Sequence, residues 1–257
     1  MKGQTPYADS AELYDFIYEN SDFRDYVAEA EALARAIEKA HPNAKTILDV
    51  GCATGEHARL LSKRYHVDGI DIEPAFIERA RSKNRGGDFR VASMQSFDMG
   101  KTYDVVMSLG SSIGYVHTLN SLTQALKTFE RHLSLQGVIL VEPWFSPEDW
   151  RPGSITMVTA ETKDKKVCRM VRAEQKGRKS VLHFTYIVGV PEGVSAINEH
   201  HELALYTVSE TLGAFDSAGL SARYNPKGLA NGRGLYIGHR RETRPRRVRQ
   251  DSKRFDP

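Results

Sequence analysis

Two short stretches of the chain combine glycines, small residues and acids in a pattern that could hold a nucleotide or nucleoside. The first runs Ile47-Leu-Asp-Val-Gly-Cys-Ala-Thr-Gly-Glu-His57, and the second, Val67-Asp-Gly-Ile-Asp71, ends in a carboxylate. Gly51 and Gly55 allow the backbone to approach a ligand because they carry no Cβ. Asp71 follows Gly51 by 20 residues, the spacing at which a carboxylate can accept hydrogen bonds from both hydroxyls of a ribose.

Three kinds of ligand site compete for this pattern. A P-loop needs Gly-Lys-Ser/Thr, which is absent. A nicotinamide fingerprint needs G-x-G-x-x-G, but Ala53 stands at the third position, and Gly51 and Gly55 are separated by three residues. That spacing matches the loop that binds adenosyl groups without phosphate, as in methyltransferases. A dehydrogenase and a glycine-containing structural turn remain open on this motif alone.

The surrounding sequence predicts the elements that position these residues. The first forty residues have helical periodicity, and strand and helix patterns then alternate to about residue 145, with a helix over Glu56 to Tyr65. Such alternation predicts a parallel sheet that is covered on both faces. Residues 154–206 change to a two-residue period with turn-like breaks, which predicts three or four antiparallel strands. A helix and two strands close the pattern.

The predicted fold class is α/β, with a Rossmann-like, seven-stranded, mostly parallel sheet, helices on both faces and an inserted antiparallel β-layer. The core is expected at residues 1–151 and 207–239, and the insertion at 152–206. Residues 240–257 hold eight Lys or Arg against three acids, within a chain of 257 residues whose net charge is +3. The rest of the chain therefore carries −2, and the basic segment is interpreted as a disordered tail.

Composition excludes several classes of protein. Two cysteines give neither a disulfide framework nor zinc spacing. The N-terminus lacks an apolar signal region, and no run of 18 apolar residues occurs. We therefore expect a cytoplasmic protein without a membrane span. The basic tail lacks the interleaved aromatic residues of a base-stacking surface, so no nucleic-acid partner is expected.

Taken together, residues Tyr7 to Gly238 resemble the N,N-dimethyltransferases that modify amino groups of nucleotide-linked deoxysugars in antibiotic biosynthesis. Related enzymes methylate lincosamide amines. The matching motifs are Ala11-Glu-Leu-Tyr-Asp15, Leu48-Asp-Val50, Thr54-Gly55, Phe97-Asp98, Ser111-Ser-Ile-Gly-Tyr115, Val141-Glu-Pro-Trp144, Leu205-Tyr-Thr207 and Gly232-Arg-Gly-Leu235. The resemblance implies a class I methyltransferase whose cofactor is S-adenosyl-L-methionine and whose substrate is a small amine.

The same resemblance implies roles for residues on the donor side. Asp49, Gly51 and Ala53 would line the methionine and ribose part, and Asp71 with the adjoining Ile72 would hold the adenosyl group. Ser93 and Met94 would face the adenine, and Leu109 would form the floor, with Ser111 beside it. Two departures from the family pattern are Ala53, in place of the usual glycine, and Ser93, in place of an aspartate.

On the acceptor side the resemblance places hydroxyl groups beside the nitrogen that receives the methyl group. Tyr14 and Tyr115 would position the amine by hydrogen bonding and guide its proton away, and His117 is the alternative base. Otherwise Tyr14 is a half-buried aromatic residue of an amphipathic helix, and His117 is a solvated loop residue. An amine must lose its proton before attack, because the lone pair is the nucleophile.

Three further residues are candidates for binding the acceptor. Trp144 would form a wall of the site or fill the core, and Arg169 and Arg233 would bind a diphosphate, because guanidinium groups match phosphate oxygens. If the acceptor lacks phosphate, both arginines are structural. His200-His201 lacks partners at metal-ligand spacing, so no metal is expected.

The predicted function is methyl transfer from S-adenosylmethionine to the amine nitrogen of a small natural product, most simply an amino sugar or its nucleotide-linked precursor. Alternatives are O-methylation of a small hydroxylated metabolite, a catalytically inactive donor-binding subunit, and a nucleic-acid methyltransferase. The Asn/Asp-Pro-Pro-Tyr/Phe signature of many nucleic-acid methyltransferases is missing. A homo-oligomer is possible.

Overall fold

The structure, a computed structural model, describes residues 7–229 and 232–241. Its helices are α1 (Ala11–Glu19), α2 (Tyr26–Ala40), α3 (Glu56–Leu61), α4 (Pro74–Lys83), α5 (Leu119–Arg131) and α6 (Val208–Ser217), with a 3₁₀ turn at Ser112–Tyr115. Its strands are β1 (Thr46–Val50), β2 (His66–Asp71), β3 (Phe89–Val91), β4 (Tyr103–Ser108), β5 (Leu133–Val141), β6 (Ile155–Glu161), β7 (Lys166–Lys176), β8 (Lys179–Val190), β9 (Gly193–Ala204), β10 (Leu220–Asn225) and β11 (Leu235–Arg240). Among the described residues, no helix is both long and apolar enough to span a membrane.

Seven strands form one sheet in the order β10-β11-β5-β4-β1-β2-β3. Strand β1 is parallel to both of its neighbours, β2 and β4. Strand β11 alone runs opposite to the other six strands and is antiparallel to both β5 and β10. Strands β6 to β9 form a second, antiparallel sheet. The predicted α/β class, with a seven-stranded, mostly parallel sheet and an inserted antiparallel layer, is confirmed.

Helices cover both faces of the large sheet, which explains why its central strands are apolar throughout. Leu48 of β1 packs into the cluster that contains Phe129 of α5, whereas its neighbour Ile47 packs into the cluster that contains Ile37 of α2. All four side chains are fully buried. Burying one such side chain contributes about 1.5–3 kcal/mol, so the strands that carry the glycine-rich loop are rigidly held.

The antiparallel sheet packs against α1 through the apolar side chains on one of its faces. Val171 of β7 and Phe184 of β8 share a core cluster with Leu13 and Ile17 of α1. Alternate residues of a strand point to the same face, so the other face of this sheet turns away from α1. Helix α1 therefore contacts the inserted layer, and it also reaches α4 of the core.

The helical pattern predicted for the first forty residues is interrupted between α1 and α2. The amide group of Asn20 and the hydroxyl of Ser21 donate hydrogen bonds back to the carbonyls of Phe16 and Ile17, four residues earlier. Asp25 then begins α2, where its carboxylate accepts from the backbone N–H of Ala28. Short polar side chains compete with the backbone in this way and favour helix ends. Two shorter helices replace the continuous one.

Two boundaries also differ from those predicted. Helix α3 ends at Leu61 instead of Tyr65. Arg240, predicted to begin the disordered tail, is the last residue of β11, and its guanidinium donates to the carbonyl of Leu133 at 2.8 Å and pairs with Glu130. Residues 242–257 of the predicted tail lie outside the described residues.

Polar contacts hold α1 against the core. The Thr54 hydroxyl, in the loop after β1, donates to a carboxylate oxygen of Asp15 at 2.5 Å, and Lys83 of α4 forms an ion pair with the same carboxylate at 2.9 Å. The Asp15 side chain is 13% exposed. A charged hydrogen bond in such a place contributes more than one at the surface, because water screens it less.

We predict that Asp15→Ala lowers the free energy of unfolding by about 1–3 kcal/mol, because the substitution leaves Lys83 and Thr54 without their shared acceptor. Urea denaturation measures the change. Glu12→Ala, on the exposed side of the same helix, is the control and should unfold within about 0.5 kcal/mol of the unsubstituted protein. Equal unfolding midpoints for both variants would contradict the anchoring role.

Candidate active site

A cavity of about 630 Å³ opens at the carboxyl ends of β1, β2 and β4. Its volume lies within the range of small-molecule sites, roughly 300–1,000 Å³, and its position is where ligands bind in open α/β sheets. All eight predicted donor residues and all three predicted catalytic residues line it: Asp49, Gly51, Ala53, Asp71, Ile72, Ser93, Met94, Leu109, Tyr14, Tyr115 and His117. The fold thus brings together residues that are up to about a hundred positions apart.

The loop after β1 is held in a tight turn against β2. The backbone N–H groups of Gly51 and Cys52 both donate to the carbonyl of Ile70, at 2.8 and 2.9 Å. Gly51 has φ +79°, and a Cβ there would lie 2.6 Å from Cβ of Ser112. Only glycine fits this position without displacing Ser112, in the 3₁₀ turn after β4. Ala53 is also left-handed, at φ 47°, which shows that the loop tolerates alanine there.

Asp71, the last residue of β2, holds the same loop with its carboxylate. One oxygen accepts from the N–H of Ala53 and the other from the N–H of Glu73, both at 2.9 Å. Burial raises the pKa of Asp71 to about 6, against these backbone hydrogen bonds, which lower it. The carboxylate therefore faces the cavity in a fixed orientation.

Asp49 lies one residue before the end of β1 and is 2% exposed. Burial, and then the neighbouring charge of Asp71, raise the pKa of Asp49 to about 7, and Arg24 opposes this shift. Two carboxylates that share a buried wall repel one another. A cationic ligand in the cavity would relieve that repulsion.

The residues that follow β2 and β3 make another part of the donor side apolar. Ile72 is 53% exposed although it is large and apolar, and the half-buried Met94 also lines this part of the cavity. The Ser93 hydroxyl accepts from the N–H of Gln95 at 3.3 Å, so it keeps its own proton to donate. Leu109, the first residue after β4, is buried. These side chains could pack against a flat aromatic base.

Hydroxyl groups line the other end of the cavity. Tyr14 of α1 packs against the rings of Tyr7 and Phe76, with centroids 5.5 and 4.8 Å away. Tyr115 ends the 3₁₀ turn after β4. Burial raises the pKa of both tyrosines well above its usual value. Each is therefore a neutral hydroxyl that can position a polar group by hydrogen bonding.

His117 is exposed and lies at the rim of the cavity. Its Nε2 is 2.9 Å from the backbone carbonyl of Glu202. A carbonyl only accepts, so Nε2 carries a proton there and only Nδ1 remains to accept another. The geometry favours this histidine less than the tyrosines for contact with a buried reacting atom.

A second histidine, which the sequence analysis considered only as a metal ligand, lies beside Tyr115. Nδ1 of His201 is 2.7 Å from the Tyr115 hydroxyl, and its Nε2 is 3.0 Å from a carboxylate oxygen of Glu199. The two-residue period of β9 places Glu199 and His201 on one face, a signal that the sequence did contain. Among the described residues, no group of three or more His, Cys, Asp or Glu side chains could hold a metal ion.

A buried ion cluster was also missed. Arg24, between α1 and α2, binds the carboxylate of Glu29 with Nε and Nη2 and lies over the ring of Tyr26, 4.6 Å from its centroid. His57 contacts the same carboxylate at 3.0 Å. Although burial opposes the shift, the hydrogen bonds from His57 and Arg24 lower the pKa of Glu29 to about 2. Arg24, Tyr26 and His57 line the cavity.

The three residues predicted to bind the acceptor do not line this cavity. Trp144 donates its indole N–H to the hydroxyl of Ser180 at 2.8 Å and packs with Phe145 and Trp150. Trp144 is half-buried and packs against the apolar cluster of Trp150, Ala173 and Leu205. The indole faces the apolar packing around β8 because its single donor has a buried partner there.

The two arginines are engaged within the protein. Arg169 is 7% exposed and lies 4.7 Å from the ring centroid of Phe23 and 5.8 Å from that of Phe184. Arg233 donates to the hydroxyl of Ser111 at 2.7 Å and lies over the ring of Trp144. Stacking on aromatic rings stabilises a guanidinium that is shielded from water. Neither arginine is among the residues that line the cavity, so a phosphate role for them stays a prediction.

Comparison with known proteins agrees with this geometry. The model of the methyltransferase domain family matches residues 47–137. A dTDP-3-amino-3,6-dideoxy-α-D-glucopyranose N,N-dimethyltransferase of Streptomyces fradiae is 33% identical over 89% of this chain and 89% of its own length. A dTDP-3-amino-3,4,6-trideoxy-α-D-glucopyranose N,N-dimethyltransferase of Streptomyces venezuelae is 30% identical over 90% of this chain and 97% of its own.

Solved structures give the same result. The crystal structure of DesVI from Streptomyces venezuelae superimposes with a TM-score of 0.86 at 30% identity, covering 91% of this chain and 99% of DesVI. CalS10, an amino pentose methyltransferase of Micromonospora echinaspora solved with S-adenosylmethionine bound, gives 0.81 at 30% identity, covering 89% and 97%. With 33% identity to the Streptomyces fradiae enzyme along most of both chains, this chain belongs to the family of S-adenosylmethionine-dependent methyltransferases that includes the dTDP-amino-sugar N,N-dimethyltransferases.

Proposed function

We propose that this enzyme transfers the methyl group of S-adenosylmethionine to the amine nitrogen of an amino sugar, with nucleotide-linked amino sugars among its acceptors. The observation that carries the proposal is the charge of the cavity. Its lining includes seven carboxylates, Asp9, Asp49, Glu56, Asp71, Glu73, Glu199 and Glu202, and Arg24 is the only Lys or Arg among the lining residues that the structure describes. An acidic cavity attracts the sulfonium and ammonium groups of the donor and the protonated form of an amine acceptor.

The donor fits the wall formed by the ends of β1 and β2. In this proposal Asp71 accepts from the ribose hydroxyls, and Asp49 lies towards the ammonium and sulfonium charges. Arg24 is the candidate partner for the donor's carboxylate, since a guanidinium binds a carboxylate with two hydrogen bonds. Ile72 and Met94 would pack on the faces of the adenine. This orientation leaves the methyl group directed towards the hydroxyl end of the cavity.

The acceptor fits the end of the cavity that carries Tyr14 and Tyr115. Methyl transfer is an in-line displacement in which the nitrogen lone pair attacks the methyl carbon as the carbon–sulfur bond breaks. The positive charge moves from sulfur to nitrogen, so little new charge needs stabilising. Orientation then supplies much of the acceleration, up to about 7–11 kcal/mol in well-oriented models. Two neutral hydroxyls that hold the amine in line meet that requirement.

The proposal is tested by measuring turnover with methyl-labelled donor and a pair of matched acceptors. One is dTDP-3-amino-3,6-dideoxy-α-D-glucopyranose, and the other carries a hydroxyl in place of the amine. We expect label in the amine and a kcat/KM for the hydroxyl analogue lower by a factor of at least about a hundred, since its proton must leave during attack. Comparable rates for both acceptors, or transfer to the hydroxyl alone, would contradict N-methylation.

The free amino sugar, without dTDP, addresses the nucleotide-linked part of the proposal separately. We expect it to be methylated with a higher KM than the dTDP-linked form, because it lacks the contacts of the nucleotide. An equal KM for both would show that the nucleotide adds no binding contacts. A dTDP-linked form that is not methylated, with the free amino sugar methylated, would remove nucleotide-linked sugars from the proposal and leave N-methylation itself intact.

Donor binding is predicted to release protons near neutral pH. Burial raises the pKa of Asp49 to about 7 and that of Asp71 to about 6, so both are partly protonated at pH 6.5. A bound cation favours their charged forms and displaces these protons. Calorimetry in buffers of different ionisation enthalpy should show proton release at pH 6.5 and almost none at pH 8.5.

Asp49→Asn is the matched variant for this measurement, because the amide keeps the side-chain shape and cannot titrate. It should bind the donor more weakly and release fewer protons at pH 6.5, the remainder coming from Asp71. If the heat of binding at pH 6.5 were the same in every buffer for the unsubstituted enzyme, these carboxylates would not face the donor's positive charges.

The two tyrosines are predicted to affect turnover mainly at low pH. Tyr14→Phe and Tyr115→Phe should each reduce kcat at pH 7 by about ten- to a hundredfold, the lower part of the range for proton-transfer groups. Raising the pH should restore much of the rate, because more of the amine is then free of its proton. The measurement is a pH–rate profile of kcat with the dTDP-linked amine. Inactivity of either variant at every pH, with donor and acceptor still bound, would require a dedicated base in its place.

A further inference from the structure

We propose that Glu199 and His201 form a proton-accepting pair that acts through Tyr115 on the acceptor amine. The inference rests on the proposed function and deepens it, since it assigns positioning roles to two residues of the inserted sheet. We call the chain Tyr115–His201–Glu199 the proton relay. Through this relay an incoming ammonium group loses a proton and becomes a nucleophilic amine.

The hydrogen bonds of the relay fix the direction in which a proton can move. Glu199 as a carboxylate only accepts, so the Nε2 of His201, 3.0 Å away, must carry the ring's proton. Nδ1 is then bare and accepts from the Tyr115 hydroxyl at 2.7 Å. The carboxylate thus selects the tautomer in which His201 can take the tyrosine's proton.

Glu199 is held rigidly for this role. The same carboxylate oxygen accepts from the Ser10 hydroxyl at 2.7 Å and from the Tyr186 hydroxyl at 3.0 Å. The Glu199 side chain is 6% exposed, and within the described residues its other oxygen has no hydrogen-bond partner. A buried carboxylate oxygen left unpaired costs free energy, and a positive charge on the neighbouring imidazole would offset that cost.

Within the relay, the acceptor for the proton that leaves Tyr115 is Nδ1 of His201, 2.7 Å from the hydroxyl. Burial raises the pKa of Tyr115 well above its usual value, so Tyr115 does not hold a negative charge and must pass its proton on. The His201 side chain is fully shielded from solvent and packs against the rings of Tyr7 and Phe184, each 4.5 Å away. The titratable and charged groups around the relay are Tyr7, Tyr14 and Tyr18 from the N-terminal segment and Arg169, Tyr186 and Glu199 from the antiparallel sheet.

The proton balance of the step is complete. The acceptor ammonium gives one proton to the Tyr115 oxygen while the Tyr115 hydroxyl proton moves to Nδ1 of His201. This leaves a free amine and an imidazolium beside the Glu199 carboxylate. The amine lone pair then attacks the methyl carbon, the carbon–sulfur bond breaks, and its electron pair remains on sulfur as S-adenosylhomocysteine. The imidazolium returns its proton to water by the same route after the product leaves.

The chain offers a matched control for this pair. His183 of β8 contacts the carboxylate of Glu174 at 2.8 Å, so it repeats the histidine–carboxylate pair in the same sheet. Neither residue lines the cavity. His183→Gln therefore reports the general effect of removing such a pair, whereas His201→Gln and Glu199→Gln report its effect beside Tyr115.

The first measurement is the pH–rate profile of kcat with S-adenosylmethionine and dTDP-3-amino-3,6-dideoxy-α-D-glucopyranose. We expect His201→Gln and Glu199→Gln to lose about ten- to a hundredfold at pH 7 and to approach the unsubstituted rate at pH 9. His183→Gln should follow the unsubstituted profile. Tyr115→Phe combined with His201→Gln should cost little more than either alone, because both interrupt one route. A loss by the same factor at every pH would indicate a purely structural role and overturn the relay.

The second measurement does not depend on the acceptor. Nitrogen NMR of histidine-labelled enzyme identifies His201 by the signal that disappears in His201→Gln, and we expect the Nε2–H tautomer. An Nδ1–H tautomer would overturn the relay whatever the substrate, since Nδ1 could then take no proton from Tyr115. An unsubstituted enzyme that methylates no amine would instead overturn the proposed function, so the two failures are distinguishable.

Discussion

The placement of two carboxylates, the buried Asp49 and the half-buried Asp71, at the ends of neighbouring parallel strands is the constraint on which the rest of the site depends. Strands β1 and β2 are paired in register, with Asp49 opposite Gly69 and Val50 opposite Ile70, so Asp49 and Asp71 share the cavity that opens beyond these strand ends. Keeping both ionised there is unfavourable without a cation. In the proposed complex the donor brings a sulfonium and an ammonium group, which would relieve this repulsion.

Helix α1 connects this donor wall to the acceptor end. The Asp15 carboxylate of α1 accepts from the hydroxyl of Thr54, in the loop after β1. The hydroxyl of Ser10, just before the helix, donates to Glu199 of the antiparallel sheet. Tyr14, between these two contacts, lines the cavity. The inserted sheet therefore contributes side chains to the site, because it supplies the only His–Glu pair in contact with Tyr115 among the described residues. A change in how α1 packs would alter both ends of the site together.

The sequence allowed the donor side to be predicted more fully than the acceptor side, and the reason is physical. The turn after β1 and the acid ending β2 are local features, and their positions at the cavity follow from strand direction and glycine geometry, whereas the roles proposed for them come from the resemblance. Arg24, Glu199 and His201 reach the cavity only through packing between distant segments, which periodicity does not specify. The resemblance gave the positions of Trp144 and Arg233, but their side chains turn to partners inside the protein. The break between α1 and α2 was missed because the helical patterns on its two sides were interpreted as one, although the polar residues Asn20, Ser21 and Asp25 stand between them.

The most direct test of a shared cavity is a crystal structure of the enzyme with S-adenosylhomocysteine and dTDP-3-amino-3,6-dideoxy-α-D-glucopyranose. The account predicts ribose hydroxyls bound by Asp71, adenine between Ile72 and Met94, and the sugar nitrogen within hydrogen-bonding distance, about 2.7–3.2 Å, of the Tyr115 hydroxyl. The nitrogen should also lie in line with the thioether sulfur. An adenosyl group bound away from Asp71, or a sugar nitrogen beside His117 at the rim and remote from Tyr115, would contradict it.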